Sequence, residues 1–484
     1  MARDLKRAKQ TTRRSAEAAL QDRLHLNRHQ HRLRREVFRT SRLLEFCSEK
    51  ELINQTGHAV VDWPLVIHKE LVDNALDAIE ETGGTPVTNV RVANGQICVS
   101  DNGPGIATEV VTEILNYNVR VSSREAYVSP TRGAQGSALK TIIAMPFAVD
   151  GSKGETLIES RGIAHRITFR VDHVRQEPKI EHSKTDSDVR IGTRVTVFWP
   201  VSARSKLADA KARFLQIAQG FAWLNPHLTL VVDWEGQTTT FVATDKAWTK
   251  WSSSDPTSPH WYDEGRLARL MGAYVARDQD RGREPRTVRE FVAEFRGLSA
   301  TAKQKAVLDQ VHAHRVTLPA YFGINGVNEG RIAKLLNAMR GHSRPVKPKD
   351  LGFIGESHLR SCFTTAGADE QTFRCSRQLV VADDLPQVIE LAFGYCPKGN
   401  RRQIVAGVNW SPGIVNPFRV LGRYGQSLDT HLSEQRAGNP DEPITLLIHM
   451  ACPRVDYTDR GKSALVVSGN LSADEIEDED DGEE

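Results

Sequence analysis

The sequence predicts an α+β protein built from three segments of different secondary structure. Residues from about 30 to 260 combine one long amphipathic helix with many short strand patterns, whereas residues 261–345 show apolar side chains at helical spacing. Residues 346–470 contain alternating apolar and polar runs, which are typical of strands. Stretches rich in Ser, Pro, Gly and charged residues separate the segments, at 252–259 and 341–348. A length of 484 residues and a hydrophobic content of 39% agree with about three packed domains.

The composition excludes several classes of protein. No apolar run approaches the roughly 18 residues that a membrane-spanning helix needs, so we expect a soluble protein with no membrane partner. The six cysteines form no Cys-x-x-Cys pair, which argues against a zinc ribbon and gives no disulfide framework. We therefore expect a protein of the reducing cytoplasm.

The two ends of the chain carry opposite charge, although the net charge is only +3. Residues 1–48 contain thirteen Lys and Arg against five Asp and Glu, and residues 474–484 contain nine acidic residues and no basic one. The basic arm, residues 1–35, either contacts the phosphates of nucleic acid or another anionic partner, or is a solvated terminal helix. The acidic tail, residues 471–484, is most simply disordered and solubilising; the alternative is that it mimics nucleic acid or shields a basic surface.

The first chemical motif lies on a predicted helix, Trp63–Glu80. Pro64 falls in the first turn, where a missing N–H is tolerated, and an apolar stripe predicts one buried face. Glu70, Asn74 and Asp77 follow one another at i, i+4 and i+7, so their side chains share one face. A carboxylate can orient or deprotonate a water, and a carboxamide oxygen is a hard ligand for Mg²⁺. Alone, this pattern is usually a solvated helix face, and it becomes informative only together with the motifs that follow it.

The second motif is a strand that ends in an acid and a glycine-containing turn. Two short strand patterns flank Asn94-Gly95, which is the signal of a type I′ hairpin. The second strand leads directly into Asp101-Asn102-Gly103-Pro104-Gly105-Ile106. The two glycines allow a ligand to approach the backbone closely, and the Asp101 carboxylate can accept a hydrogen bond from an exocyclic amine such as that of adenine. The alternative interpretation is an ordinary surface turn.

Two more elements complete the set. Ser122-Ser123-Arg124 precedes the loop Thr131-Arg132-Gly133-Ala134-Gln135-Gly136-Ser137, which leads into a helical pattern running to Ala144. A glycine-containing loop at a helix N-terminus presents free backbone N–H groups to phosphate oxygens. Further along, Ile191–Val197 is a strand pattern opened by Gly192-Thr193.

In order and spacing, these four motifs resemble those of the GHKL ATPases, a superfamily that includes gyrase B, Hsp90, MutL and histidine kinases. Later segments are similar to landmarks of the topoisomerase VI B subunits, namely Asn225-Pro226-His227, Ser258–Tyr262, Leu351–Glu356 and Asp459–Ala464. The resemblance runs from about residue 36 to 466. It implies a GHKL α/β sandwich over residues 36–260, a helix-two-turns-helix-like domain over 261–345 and an S5-like α/β transducer domain over 346–470.

The resemblance also implies a role for each motif residue. Glu70 would be the general base, Asn74 would bind Mg²⁺, and Lys462 would reach the γ-phosphate of ATP from the transducer domain. Asp101 would bind adenine. The other residues that the resemblance assigns to the nucleotide are Asp77, Gly103, Gly105, Ser122, Ser123, Arg132, Gly133, Ala134, Gln135, Gly136, Ser137 and Thr193.

The function that the resemblance implies is that of the B subunit of a type IIB DNA topoisomerase. Such a subunit binds and hydrolyses ATP with Mg²⁺ and dimerises on ATP, exchanging the segment at about residues 37–56 between two copies. It gates double-stranded DNA and drives a separate A-type subunit that cuts the DNA. We therefore expect a homodimer associated with the nucleoid of the cytoplasm.

Two departures from the family pattern leave a second hypothesis open. Ala138 stands where the phosphate loop of the family usually has another glycine, and Lys140 is a candidate for an additional phosphate contact. A strongly acidic stretch follows Val466–Leu471, whereas the family continues into a long helix that docks the A subunit. The second hypothesis is a free-standing GHKL clamp, operated by ATP, that grips DNA or a protein without strand passage.

Overall fold

Helices and two mixed β-sheets follow one another along the chain. The computed structural model describes residues 48–117, 126–132, 138–172, 177–323, 328–399, 402–418, 442–458 and 464–466, all within the compact unit Leu43–Glu484. The predicted α+β class is confirmed by this order of elements. Within the described ranges, no helix is both long enough and apolar enough to cross a membrane.

From residue 48 onward, two α-helices precede the first sheet. Helix α1 (Glu49–Thr56) begins at Ser48, whose hydroxyl accepts a hydrogen bond from the N–H of Glu51, and it ends at Gly57 in the left-handed conformation. Helix α2 (Trp63–Glu81) has a proline in its first turn, as the sequence predicts. Its predicted apolar stripe is buried, which confirms the orientation of the helix. The buried members of the stripe are Ile67, Leu71, Ala75, Leu76 and Ile79.

The first sheet has eight strands. They are β1 (Val87–Ala93), β2 (Gln96–Asp101), β3 (Gly154–Ser160), β4 (Ile163–Asp172), β5 (Glu177–Asp186), β6 (Thr193–Phe198), β7 (Thr229–Trp234) and β8 (Gln237–Phe241). Their order is β5-β4-β3-β6-β2-β1-β7-β8. Asn94 and Gly95 join β1 to β2 with φ values of 54° and 73°, so the predicted hairpin is confirmed.

Four further helices belong to the same part of the chain. They are α3 (Thr108–Ile114), α4 (Ala138–Asp150), α5 (Arg204–Asp209) and α6 (Lys211–Leu224). Helices α2, α4 and α6 contact the sheet and α2 contacts both of the others, so these three helices form a layer over the strands. One core fills the space between helices and sheet, with Ile143, Phe214 and Phe221 from the helices meeting Val90 and Val99 from the strands.

The middle of the chain is helical, as predicted. Its helices are α7 (Glu264–Asp280), α8 (Val288–Ala293), α9 (Thr301–Val311), α10 (Leu318–Phe322) and α11 (Glu329–Gly341). Helix α12 (Glu356–Thr365) follows in the next segment, 346–470, before the strands that were predicted there. Asp263 caps α7, and Thr287 with Glu290 forms a capping box at α8. The side chains at helical spacing are buried, namely Leu267, Leu270, Met271, Val288, Phe291 and Phe295.

The second sheet has five strands. They are β9 (Arg374–Ala382), β10 (Leu385–Tyr395), β11 (Gln403–Val408), β12 (Ser411–Pro412) and β13 (Ile444–Ala451), in the order β12-β11-β13-β10-β9. Buried Glu390 accepts hydrogen bonds from the N–H of Ile354 at 2.8 Å and from His449 Nδ1 at 3.2 Å. The N–H of Trp410 donates to Nε2 of the same histidine at 3.2 Å, which assigns the proton of the ring to Nδ1.

Two glycines bring helix α6 against the second sheet. A Cβ atom at Gly220 would lie 2.9 Å from Cβ of Pro412, and one at Gly407 would lie 2.2 Å from Cδ1 of Leu224. Side chains at either position would push the helix and the strands apart. Because α6 also packs on the first sheet, this close approach sets the distance between the two sheets.

We predict that Gly407→Ala lowers the free energy of unfolding by about 1–3 kcal/mol, since the new methyl group overpacks the contact with Leu224. Gly341→Ala at the end of α11 is the control, because its methyl group would meet no atom within 4 Å. The control should be as stable as the wild type or slightly more stable. Urea unfolding of the three proteins measures both effects, and equal stability of the two variants would contradict the prediction.

Candidate active site

Asp101 lies at the end of β2 and accepts two backbone hydrogen bonds. Its Oδ1 atom receives the N–H of Gly103 at 2.8 Å and the N–H of Thr193 at 3.3 Å. Burial raises the pKa of Asp101, and these two N–H groups oppose the rise because they stabilise the charged form. Both of these hydrogen bonds use Oδ1, which leaves Oδ2 to accept a hydrogen bond from a ligand.

The turn after Asp101 closes on the start of β6 through glycines. The N–H of Gly192 donates to the carbonyl of Gly103 at 3.0 Å. Gly192 has a φ of 77°, and a Cβ atom there would lie 1.8 Å from the carbonyl oxygen of Asp101. Gly105 has a φ of 75°, and a Cβ atom there would lie 2.6 Å from Oγ of Ser160. Glycine is therefore required at both positions, because the backbone has a positive φ and because there is no space for a Cβ atom.

Ser160 and Asn102 hold this turn in place, and the sequence analysis assigned no role to either side chain. The hydroxyl of Ser160 donates to the carbonyl of Gly192 at 2.8 Å and accepts the N–H of Ile106 at 2.9 Å. The Asn102 side chain accepts the N–H of Val87 at 2.9 Å. Asn102 at least lies inside the motif, whereas Ser160 at the end of β3 gave no sequence signal, because its partners are 54 and 32 residues away.

The predicted polar face of α2 divides into an open part and a buried part. The Glu70 side chain is 28% exposed and Asn74 is exposed. Asp77, one turn further on, is only 3% exposed. Glu70 and Asn74 are therefore open to water and to a ligand, and Asp77 is not.

Asp77 is buried because it belongs to an ion network with Arg132. The Nη1 atom of Arg132 lies 3.0 Å from Oδ1 of Asp77, and the guanidinium forms two hydrogen bonds of 2.7 Å with the carboxylate of Glu80. Asn225 accepts a further hydrogen bond from Nη2. The side chain of Arg132 is fully buried. Asp77 and Arg132 thus form a buried ion pair, and the nucleotide contacts predicted for them stay predictions.

Glu80 has two more partners in the same network. The Nζ atom of Lys250 lies 2.8 Å from Oε2 of Glu80, and Nε2 of His227 lies 3.0 Å from Oε1. Burial would raise the pKa of Glu80, but Arg132 and Lys250 outweigh it and hold this pKa well below its usual value. Burial lowers the pKa of Lys250 and that of His227. With His227 neutral, two cations and the two carboxylates of Asp77 and Glu80 balance.

The remaining motif residues are distributed as follows. Thr193 is buried at the start of β6 beside Asp101. The Nζ atom of Lys140 donates to the carbonyl of Asn116 at 2.7 Å and the residue is buried. The additional phosphate contact considered for it stays a prediction. The predicted residues that lie outside the described ranges are Ser122, Ser123, Gly133, Ala134, Gln135, Gly136, Ser137 and Lys462.

The chain is similar to curated B subunits of type 2 DNA topoisomerase 6. It is 23% identical over 416 residues to the subunit from Archaeoglobus fulgidus, covering 83% of this chain and 66% of that one. It is 25% identical over 422 residues to the subunit from Methanococcoides burtonii, covering 82% of this chain and 64% of that one. This chain therefore spans slightly less than two thirds of the length of these relatives. The resemblance that the motifs indicated is confirmed by these similarities.

Solved structures similar to this chain include two ATPase domains. One is the 43K ATPase domain of gyrase B from Thermus thermophilus, which is 14% identical with a TM-score of 0.33, and the match covers 83% of this chain and 78% of that one. The other is the ATPase domain of MutL from Aquifex aeolicus, which is 13% identical with a TM-score of 0.32, and the match covers 79% of this chain and 90% of that one. None of the protein-family models matches the chain. The fold class rests on the element order and sheet topology described above.

We predict that Gly192→Ala lowers the free energy of unfolding by about 2–4 kcal/mol, because a left-handed alanine is strained and its methyl group collides with the carbonyl of Asp101. Gly236→Ala in the β7–β8 turn is the matched control. It has a similar φ of 83° with no atom within 4 Å of the new Cβ, so it should lose only about 1 kcal/mol. Thermal unfolding separates the two, and equal losses would contradict the proposed close approach.

We predict that Glu80→Gln destabilises the protein by about 3–5 kcal/mol, because it leaves the buried cations Arg132 and Lys250 with only Asp77. The double variant Glu80→Gln/Lys250→Met restores the balance of charge and should recover more than half of this loss. Glu81→Gln, at the next and exposed position, is the control. Urea unfolding at neutral pH measures all four proteins. A single variant as stable as the wild type would show that the network does not hold the fold.

Proposed function

We propose that this protein binds and hydrolyses ATP and acts as the ATP-operated B subunit of a type IIB DNA topoisomerase. One observation carries the proposal: the Asp101 turn, closed by Gly192 and Thr193, occurs in a chain that is similar to topoisomerase 6 B subunits over 82–83% of its length. The same sheet is covered by the helix that carries Glu70 and Asn74.

The Asp101 turn suits an adenine ring. Oδ1 is held by two backbone N–H groups, so Oδ2 can accept a hydrogen bond from the exocyclic amine of the base. The turn has no side chain at Gly103 and Gly105, and a Cβ atom at Gly103 would lie 2.9 Å from Oδ1 of Asp101. A planar base can therefore lie against backbone, with Thr193 beside it.

Glu70 and Asn74 suit the chemistry of phosphoryl transfer. The Glu70 carboxylate is partly exposed, so it can accept a proton from a water that attacks the γ-phosphate. The exposed Asn74 carboxamide would hold Mg²⁺, which neutralises charge on the phosphates. The ion pair between Asp77 and Arg132 supports this arrangement, because it joins α2 to Arg132, which directly precedes the predicted phosphate loop at 133–137. We keep Lys462 and the loop residues as predicted phosphate contacts.

The partners of this function are double-stranded DNA, a second copy of this chain and an A-type subunit that cuts DNA. The names of the relatives support the first and the third of these. The basic residues 1–48 supply charge suited to phosphate groups. The proposal that two copies dimerise when they bind ATP rests on the resemblance to the family.

We predict that Glu70→Gln lowers the kcat of ATP hydrolysis by about 100-fold or more, because it removes the general base while keeping the size of the side chain. The affinity for ATP should change little. Glu109→Gln, an exposed glutamate on α3, is the control and should hydrolyse ATP like the wild type. Steady-state turnover with and without duplex DNA, together with equilibrium binding of ATP, gives both quantities. Turnover in Glu70→Gln equal to that of the wild type would refute the assigned role.

Relaxation of supercoiled DNA in the presence of a topoisomerase VI A-type subunit separates the two functional hypotheses. ATP-dependent relaxation supports a topoisomerase subunit. ATP hydrolysis that is stimulated by DNA, but without relaxation or binding of the A-type subunit, supports the free-standing clamp.

A further inference from the structure

A lysine of α2 lies between two carboxylates, one of which is the proposed general base. The Nζ atom of Lys69 is 2.7 Å from Oδ2 of Asp73, one turn further along the helix, and 3.9 Å from Oε1 of Glu70. Only the shorter distance is that of a hydrogen bond. The ammonium group is therefore hydrogen-bonded to Asp73 and forms only a longer ion pair with Glu70.

The surroundings of Lys69 keep it charged. Burial disfavours the ammonium form, but the carboxylates of Asp73 and Glu70 outweigh burial and raise the pKa of Lys69. The phenol of Tyr457 also acts on the Lys69 ammonium and raises its pKa. Lys69 also lines a cavity of about 640 Å³ between α2, the segment 126–132 and the second sheet. The ammonium thus has room to move.

A residue of the second sheet holds the Asp73 carboxylate. The hydroxyl of Ser411 in β12 donates to Oδ2 of Asp73 at 2.8 Å. The Asp73 side chain is only 4% exposed, and its Oδ1 atom has no hydrogen-bond partner among the described residues. Ser411 and Lys69 therefore share one oxygen, and the two contacts together define where the negative charge of Asp73 lies.

We propose that Asp73 is a positioning residue that draws the Lys69 ammonium away from Glu70, and that Ser411 fixes Asp73 in the orientation that does so. This inference rests on the proposed role of Glu70 as general base. An ammonium in direct contact with Glu70 would stabilise its charged form and make it a weaker base. Because Ser411 belongs to the second sheet, the position of the Lys69 ammonium relative to Glu70 depends on the contact between that sheet and α2.

The test is a set of variants in the full-length protein, assayed for ATP turnover. Asp73→Asn removes the charge and keeps the shape, so Lys69 should turn to Glu70 and kcat should fall about tenfold while KM for ATP changes little. Asp73→Asn/Lys69→Met has no ammonium to weaken the base and should recover most of the kcat. Ser411→Ala should lower kcat in the same direction by a smaller factor. Glu356→Gln, which breaks an i, i+4 pair with Arg360 on α12, is the control.

Each outcome decides the proposal. A purely structural role of Asp73 predicts that the double variant is no more active than Asp73→Asn, and that result would overturn it. A crystal structure of the Asp73→Asn variant is a second test that does not depend on ATP hydrolysis. In it, the Nζ atom of Lys69 should lie about 3 Å from a carboxylate oxygen of Glu70. Lys69 still directed at position 73 would overturn the inference even if the protein hydrolyses ATP. Equal inactivity of wild type and Glu70→Gln would refute the proposed function instead, and the crystal structure would still decide where Lys69 turns.

Discussion

The buried carboxylate of Glu80 is the interaction on which the arrangement of the site depends. It receives Arg132, Lys250 and His227, which come from three separate places in the chain. Asn225, which binds the same arginine, also donates to the carbonyl of Trp410 at the second sheet. Removing charges from water is unfavourable unless they pair well, so these elements have to meet at one point. Helix α2 is thereby held in a defined position relative to the segment 126–132 and to both sheets.

The open side of α2 and the Asp101 turn use different physical means to form a site. The turn is rigid because backbone N–H groups and the Ser160 hydroxyl satisfy its polar atoms, and because glycines allow β6 to approach it closely. The helix instead presents polar side chains with charged neighbours. Glu70 lies beside an ammonium that Asp73 holds. Shape recognition and charge are therefore supplied by separate elements, joined through the first sheet.

Local sequence patterns predicted the helix, the hairpin and the strand of the site, but they did not predict the ion pairs between residues that are distant in sequence. The α2 helix, the hairpin at Asn94-Gly95 and the strand opened by Thr193 follow from periodicity and turn chemistry, which act over a few residues. Asp77 shares a helix face with Glu70, and this periodicity gave no indication that its partner would be Arg132, 55 residues away. Lys250 and Ser411 gave no signal either, because nothing near them in sequence shows what they contact. The predicted roles of residues 133–137 and Lys462 stay predictions.

The sequence by itself determined the class of fold, the order of the segments and the motif residues, because helical and strand periodicity and glycine-containing turns are properties of neighbouring residues. It also determined the resemblance to GHKL ATPases, which depends on the order and spacing of those motifs. Only the tertiary structure decided which polar residues of α2 face the open side and which are buried in ion pairs. Glu70 and Asp77 both carry a carboxylate on one helix face, and their exposure differs because of what the fold places opposite them. The free energy of a charge depends on its surroundings in space, and those surroundings come from parts of the chain that sequence periodicity does not connect.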